Sequence, residues 1–291
     1  MRPHPDGADD TPYRRATAPS RRRRRNGSRR DPCYRAGVEA SILDPRSAAP
    51  ESTGTTDAAP LATPGSLHAR WLGRIAYAEA HALQKRLVDE RAAGAIVDQL
   101  LLVEHPAVLT LGRQSDPSHI LASEHELAAR DIDVVRVERG GEVTYHGPGQ
   151  LVAYPIVRLH ERGLFLRPFV RALEQALVQT CAAHGVTAAR RDGHPGCWCD
   201  PDGAAPRKIG ALGLRIERGI SYHGIALNVT ADLRDFELID PCGMPGVTST
   251  SIAVERGDPS TAPSTASVER AGWIFADAFA AATDASLVRE A

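Results

Sequence analysis

The sequence predicts an α+β domain with a mixed, largely antiparallel sheet and packed helices. Three observations carry this. Apolar runs of strand length come in neighbouring pairs, and a few amphipathic helices interrupt them without alternating regularly, which disfavours a doubly wound sheet. One pair is joined by Arg218-Gly219, a hairpin signal. In 291 residues, 42% hydrophobic and 24% charged, a sizeable core is available.

Residues 1–65 are rich in Arg, Pro, Ser and Thr, carry few large apolar residues and show no periodicity, so they read as a disordered tail before a domain spanning 66–291. A helix is expected over Tyr77–Ala93, with Ala80, Leu83, Leu87 and Val88 near one face. Gln99–Glu104 and Ala107–Leu111 read as strands around the His105-Pro106 turn. Ser123–Ala129 is a short helix with Ser123 at its N-cap and Glu126 closing a capping box. Ile132–Val137 is a strand, Gly140-Gly141 a break, and Glu142–His146 and Gln150–Leu159 are further strands. Pro168–His184 is a helix with Phe169, Val170, Leu173, Leu177 and Cys181 on one stripe and Gly185 at its C-terminal end. Lys208–Ile216 and Ile220–Val229 form the hairpin. Ala271–Ala282 closes the domain as a helix with Ile274, Phe275, Ala278 and Phe279 inward.

The formal charge of −1 hides an asymmetry. Residues 1–32 hold ten Arg and four Asp, a balance of +6, which leaves −7 for the rest. The run Arg21–Arg25 would suit an anionic surface, but no aromatics interleave with it as a single-strand nucleic-acid platform requires, so a solvated tail is the simpler expectation. No apolar run approaches eighteen residues and the first residues form no apolar signal core, so no membrane span or secretory signal is expected. Five irregular cysteines do not make a disulfide framework, and a reducing cytoplasm is the expected location.

Three stretches carry polar chemistry. Arg139-Gly140-Gly141-Glu142-Val143-Thr144-Tyr145-His146 leads into Gly147-Pro148-Gly149-Gln150, a glycine-rich loop whose spacing fits neither a P-loop nor a dinucleotide fingerprint. It reads equally as a binding loop or as a tight hairpin. Lys208 opens the small, apolar strand Ile209-Gly210-Ala211-Leu212-Gly213, and the chain has only one other lysine, Lys85. A desolvated lysine shifts its pKa or demands a partner, whereas an edge lysine would simply reach water. Cys242 sits in the Pro/Gly turn Asp240–Gly246, which holds a thiol away from the backbone; it is a nucleophile only where a cation populates the thiolate, and otherwise a plain loop cysteine. Cys181 reads as core. Cys197-Trp198-Cys199 lacks the second ligand pair of a zinc site, so no metal is expected. His223 reads as a partly buried, satisfied histidine.

Taken in order, these three stretches resemble the lipoyl(octanoyl) transferase family. The match runs over residues 70–285 and includes Gly219–Val229 after the lysine strand and the Thr248-Ser249 pair after the cysteine turn. The resemblance implies the fold shared by biotin and lipoate protein ligases, and transfer of an octanoyl (or lipoyl) group to a lysine of a lipoyl domain without cofactor. The donor would be acyl carrier protein, which holds the octanoyl group on its phosphopantetheine arm. The acceptors would be the lipoyl domains of 2-oxoacid dehydrogenases and the glycine cleavage H protein. The protein would act as a monomer, with no membrane or nucleic-acid partner. By the match, Cys242 would carry the acyl thioester and Lys208 would lower its pKa. Arg139–His146, Ala211, Leu212, Gly213, Gly224, Ile225 and Ala226 would line the acyl and carrier-arm site. An ATP-dependent lipoate or biotin ligase, or an amidotransferase between lipoyl-domain proteins, is the alternative on the same fold. Cys197 and Cys199 depart from the small or apolar residues usual there.

Overall fold

The computed structural model describes residues 65–240, 247–258 and 262–290. The expectations for the Arg-rich tail and for Cys242 lie outside the described residues. Twelve strands and five helices follow in order: β1 (Ser66–Arg74), α1 (Tyr77–Ala92), β2 (Asp98–Glu104), β3 (Val108–Leu111), α2 (Glu124–Ala129), β4 (Asp133–Arg136), β5 (Val143–His146), β6 (Gln150–Ile156), α3 (Leu166–Ala183), β7 (Ala189–Arg191), β8 (His194–Cys199), β9 (Arg207–Glu217), β10 (Ile220–Asn228), β11 (Thr248–Ser249), α4 (Ile252–Glu255), α5 (Thr265–Ala282) and β12 (Ser286–Glu290). The large sheet runs β12-β1-β2-β6-β10-β9-β8-β7, with β11 added to β9; β4-β3-β5 form a small second sheet. Among the large sheet's pairs, β1–β12, β1–β2 and β9–β11 are parallel and the remainder antiparallel.

Helices cover both faces of the large sheet. Leu100 and Leu102 of β2, with Leu151 and Leu227, pack against Phe169, Leu173 and Leu177 of α3 and Phe275 and Phe279 of α5. The alternate residues Leu101 and Val103, with Val152, Tyr154 and Tyr222, pack against Ala80, Leu87 and Val88 of α1. This double cover explains why β2 reads as an unbroken apolar run rather than an alternating one. Both ends of β2 are buried carboxylates. Asp98 accepts from Arg91 Nε at 2.8 Å, from Arg158 N at 3.0 Å and from Arg162. Glu104 accepts from Arg74 Nε at 3.1 Å and Thr265 Oγ1 at 2.6 Å.

Local signals act as expected. Ser123 and Glu126 close the capping box of α2, and Gly185 takes φ +77° just past α3. Arg218 and Gly219 both have positive φ, +52° and +77°, as a two-residue type I′ hairpin requires. The two strands expected around His105-Pro106 are present, β2 in the large sheet and β3 in the small one. Several expectations need correction. The strand from Gln150 ends at Ile156 and a 3₁₀ turn follows at Leu159–Arg162. Helix α5 begins at Thr265, six residues before the expected start, because Ser264 caps it by accepting from Ser267 N. Val170 and Ile274 are half-buried, not core. β1, β7, β8, β11 and β12 were not expected as strands. No helix among the described residues is long and apolar enough to cross a membrane.

Candidate active site

A cavity opens where the small sheet and the glycine-rich loop face the β9–β10 hairpin. Its walls include Arg139, Gly141, Glu142, Val143, Thr144 and His146 from the loop, Lys208, Ala211, Leu212 and Gly213 from β9, and Gly224, Ile225 and Ala226 from β10. Two residues expected to line it do not. Gly140 lies beside it, its N–H donating to Leu214 O at 2.9 Å. Tyr145 is turned into the third core cluster, its ring edge-on to Phe236 at 5.4 Å, and burial together with the Asp235 carboxylate pushes its hydroxyl pKa up. Along β5, Thr144 and His146 point one way and Val143 and Tyr145 the other; Val143 touches both the cavity and the third core cluster, whereas Tyr145 is turned wholly into the cluster.

Glycine is required at several of these positions by contact. A Cβ on Gly224 would stand 1.9 Å from Ala153 O. One on Gly213 would meet Arg139 Cδ at 2.9 Å and Gly140 O at 3.1 Å. The loop is therefore seated directly on the lysine strand.

Arg139 is buried and fastens that loop from within. Its Nη2 donates to Thr110 O at 2.5 Å and Thr110 Oγ1 at 2.8 Å, and its Nη1 to Glu142 O at 2.7 Å and Gly140 O at 3.1 Å. A second chain of bonds joins the loop to β9. Gln150 Nε2 donates to Asn228 Oδ1 at 2.9 Å and Tyr145 O at 3.2 Å, so Gln150 Oε1 accepts, at 2.7 Å, from Nδ1–H of His146. Asn228 Nδ2 donates to Thr250 O at 2.9 Å, and Thr250 N donates to Lys208 O at 3.0 Å. Burial, then the neighbouring His105, pushes His146 down to about 3, which keeps it neutral. Gln150, Asn228, Tyr77, Tyr154 and Phe236 also line the cavity and were missed; the only signal was the position of Gln150 at the end of Gly147-Pro148-Gly149.

His223 is not the satisfied histidine the sequence suggested. It is 1% exposed, sits at φ +54° inside β10, and its Nε2 has no hydrogen-bond partner. Burial pushes its pKa down, against the opposing pull of Glu138. His223, His81 and Glu138 bring three metal-type donors within 4.8 Å of one another. Glu138 Oε1, however, already accepts from Tyr222 Oη at 3.0 Å and lies 3.8 Å from the Lys85 ammonium. The group is a hydrogen-bonded cluster in which a cation would have to compete with Lys85 for that oxygen.

Lys208 is half-buried at the cavity wall. Among the described residues no carboxylate lies within ion-pair distance of its Nζ. The chain leaves the described region at Asp240, whose N–H donates to His119 O at 2.8 Å. It returns at Val247, which lines the cavity, and β11 then pairs Ser249 with Lys208. Cys197 and Cys199 are buried and free, and burial raises both thiols; for Cys197 the largest cause is a hydrogen bond with Cys181. They are core side chains.

The profile of the lipoyl protein ligase A/B catalytic domain matches residues 76–268. An octanoyltransferase of Acidobacterium capsulatum is 51% identical over 192 residues, 63% of this chain and 78% of that protein. One of Chloroflexus aggregans is 49% identical over 187 residues, 64% of this chain and 83% of that protein. Among solved structures, the bipartite lipoate protein ligase of Thermoplasma acidophilum superposes with a TM-score of 0.55 at 13% identity, covering 77% of this chain and 86% of that one. A lipoate-protein ligase A bound with ATP gives 0.52 at 14% identity, covering 78% and 89%. At those identities the likeness establishes the fold alone.

Proposed function

The chain belongs to the lipoyl protein ligase A/B catalytic-domain family, and on that premise we propose that it transfers an octanoyl group from acyl carrier protein to a lysine of lipoyl domains, through a thioester on Cys242 assisted by Lys208. The observation that carries this reading is the cavity wall. Lys208 stands there beside the fastened glycine-rich loop, and Ser249, seven residues after Cys242, pairs with it.

In the first half-reaction the Cys242 thiolate attacks the donor's thioester carbonyl. The S–acyl bond to the carrier breaks, a new one forms, and the carrier thiolate takes a proton from the Lys208 ammonium. In the second, the acceptor lysine's neutral amine attacks the enzyme thioester, Lys208 takes its proton, and Cys242 leaves as thiolate. Thioester exchange is nearly neutral in free energy and amide formation is downhill, so neither step needs ATP. Backbone N–H groups of the glycine-rich segments suit the oxyanion. Octanoyl methylenes against Val143, Val152, Leu212 and Ile225 would each gain about 0.8 kcal/mol on burial. The acceptors are the lipoyl domains of 2-oxoacid dehydrogenases and the glycine cleavage H protein.

The test is intact mass after mixing the protein with octanoyl carrier protein and no ATP. An acyl adduct that disappears in Cys242→Ala is expected. An adduct that survives that substitution, or acceptor acylation that demands ATP, would sink the mechanism and favour a ligase. Octanoylated lipoyl domain serving as well as the carrier protein would favour an amidotransferase.

A further inference from the structure

We propose that the buried indole of Trp198 positions the Lys208 ammonium in the cavity wall, an inference that rests on the acyl-transfer role given to Lys208 above. Trp198 is fully buried in β8 and is the cross-strand partner of Lys208 in β9. Its Nε1 donates to His194 O at 3.0 Å, which fixes the ring plane. Lys208 Nζ lies 5.3 Å from the ring centroid, within cation–π range. Gly196 makes the arrangement sterically open. A Cβ there would stand 3.0 Å from Lys208 Cε and 2.6 Å from Gly210 O, and Gly196 takes φ +138°. Its N–H is held by the buried Glu174 carboxylate at 3.2 Å.

An indole face suits a lysine that must give up and regain a proton. It attracts the ammonium and takes the place of water on one side. Unlike a carboxylate, it neither accepts the proton nor holds the cation in a tight pair, so the N–H bonds stay available to the cavity. Other charged or titratable groups around Lys208 are Tyr77, Arg139, Glu142, His146, Tyr154 and His223 in the cavity wall, the Arg207–Glu255 pair between β9 and α4, and, beside the same indole, His194 and Arg191, whose guanidinium lies 5.2 Å from it. None is a carboxylate in contact with Nζ.

With only two lysines in the sequence, the full-length protein labelled with ¹³C,¹⁵N-lysine gives two side-chain signals, and Lys85→Arg assigns them. Trp198→Leu is expected to move the Lys208 ε-methylene signals to the position of an unstacked lysine and to lower kcat roughly fivefold with KM for the carrier substrate unchanged, and Trp198→Phe, which keeps an aromatic face, to do about half as much. Should Trp198→Leu fail to fold, Trp198→Phe alone decides. Signals that stay in place, or an unchanged kcat, overturn the proposal. Full octanoyl transfer by Lys208→Ala would instead sink the catalytic reading and leave the signal positions standing.

Discussion

Replacing Arg139 separates two readings of the glycine-rich loop. In one the guanidinium holds substrate; in the geometry found here it holds the loop. Thr110 and Glu142 accept its shortest bonds, at 2.5–2.8 Å, in a site where Arg139 is 6% exposed. Hydrogen bonds to a buried charged donor contribute roughly 1.5–3 kcal/mol each, and orphaned carbonyls add a desolvation penalty. Two such attachments, lost together and not fully additive, predict that Arg139→Met costs about 3–5 kcal/mol. Arg139→Lys keeps the charge but cannot reach acceptors on both sides, because a single ammonium lacks the planar fork. It should recover less than half of that loss. Urea unfolding measures both variants, with a melting-temperature fall of roughly 10 °C expected for Arg139→Met. Arg139→Lys of wild-type stability with a tenfold higher KM for the carrier substrate would refute the fastening role and restore the substrate-binding one.

Two further outcomes follow from burial. His105 and His146 are held neutral, pushed down to about 4 and about 3, chiefly by burial. The unfolded chain binds these protons near pH 6.5, so the stability they contribute is fully present above that value and is lost as pH falls toward 4, at about 2.7 kcal/mol per pH unit for the pair. A denaturation midpoint flat between pH 6.5 and 5 would contradict this. The hydrogen bond with Cys181, then burial, keeps Cys197 a thiol, and burial does the same for Cys199. In a Cys33→Ser background at pH 8, one fast-alkylating thiol is expected, and Cys242→Ser should abolish it; a persisting fast phase would place reactivity in the buried cysteines.

Much of this was legible in the sequence because the signals were local. The Ser123/Glu126 box and the Arg218-Gly219 turn each specify their own backbone within a few residues. The lysine strand and the glycine-rich loop could be singled out the same way. What stayed hidden depended on partners distant in the chain. Ser66–Arg74 becomes a strand because β2 and β12 flank it, and its half-polar pattern shows no alternation of its own. Arg139 looked like a ligand because nothing in the sequence reveals that Thr110 accepts from it. Tyr145 differs from its neighbours only in which side of β5 it takes. That His223 is buried with an unpartnered Nε2 could not be read without knowing that Gln84 Oε1 accepts from its backbone N–H and that the rings of His81 and Tyr222 stack on it.

The carboxylates at the two ends of β2 have a consequence for how this protein tolerates change in length. Asp98 and Glu104 are six positions apart, so both side chains emerge on one side of the strand. Removing or adding one residue between them would turn one anchor to the opposite side, stranding its arginines and burying an unpaired charge in the α1 layer. Lengthening the chain beyond either anchor would leave both ion clusters intact. In a lineage of such proteins, single-residue insertions and deletions should therefore be absent between these two acids, while the adjoining turns vary in length.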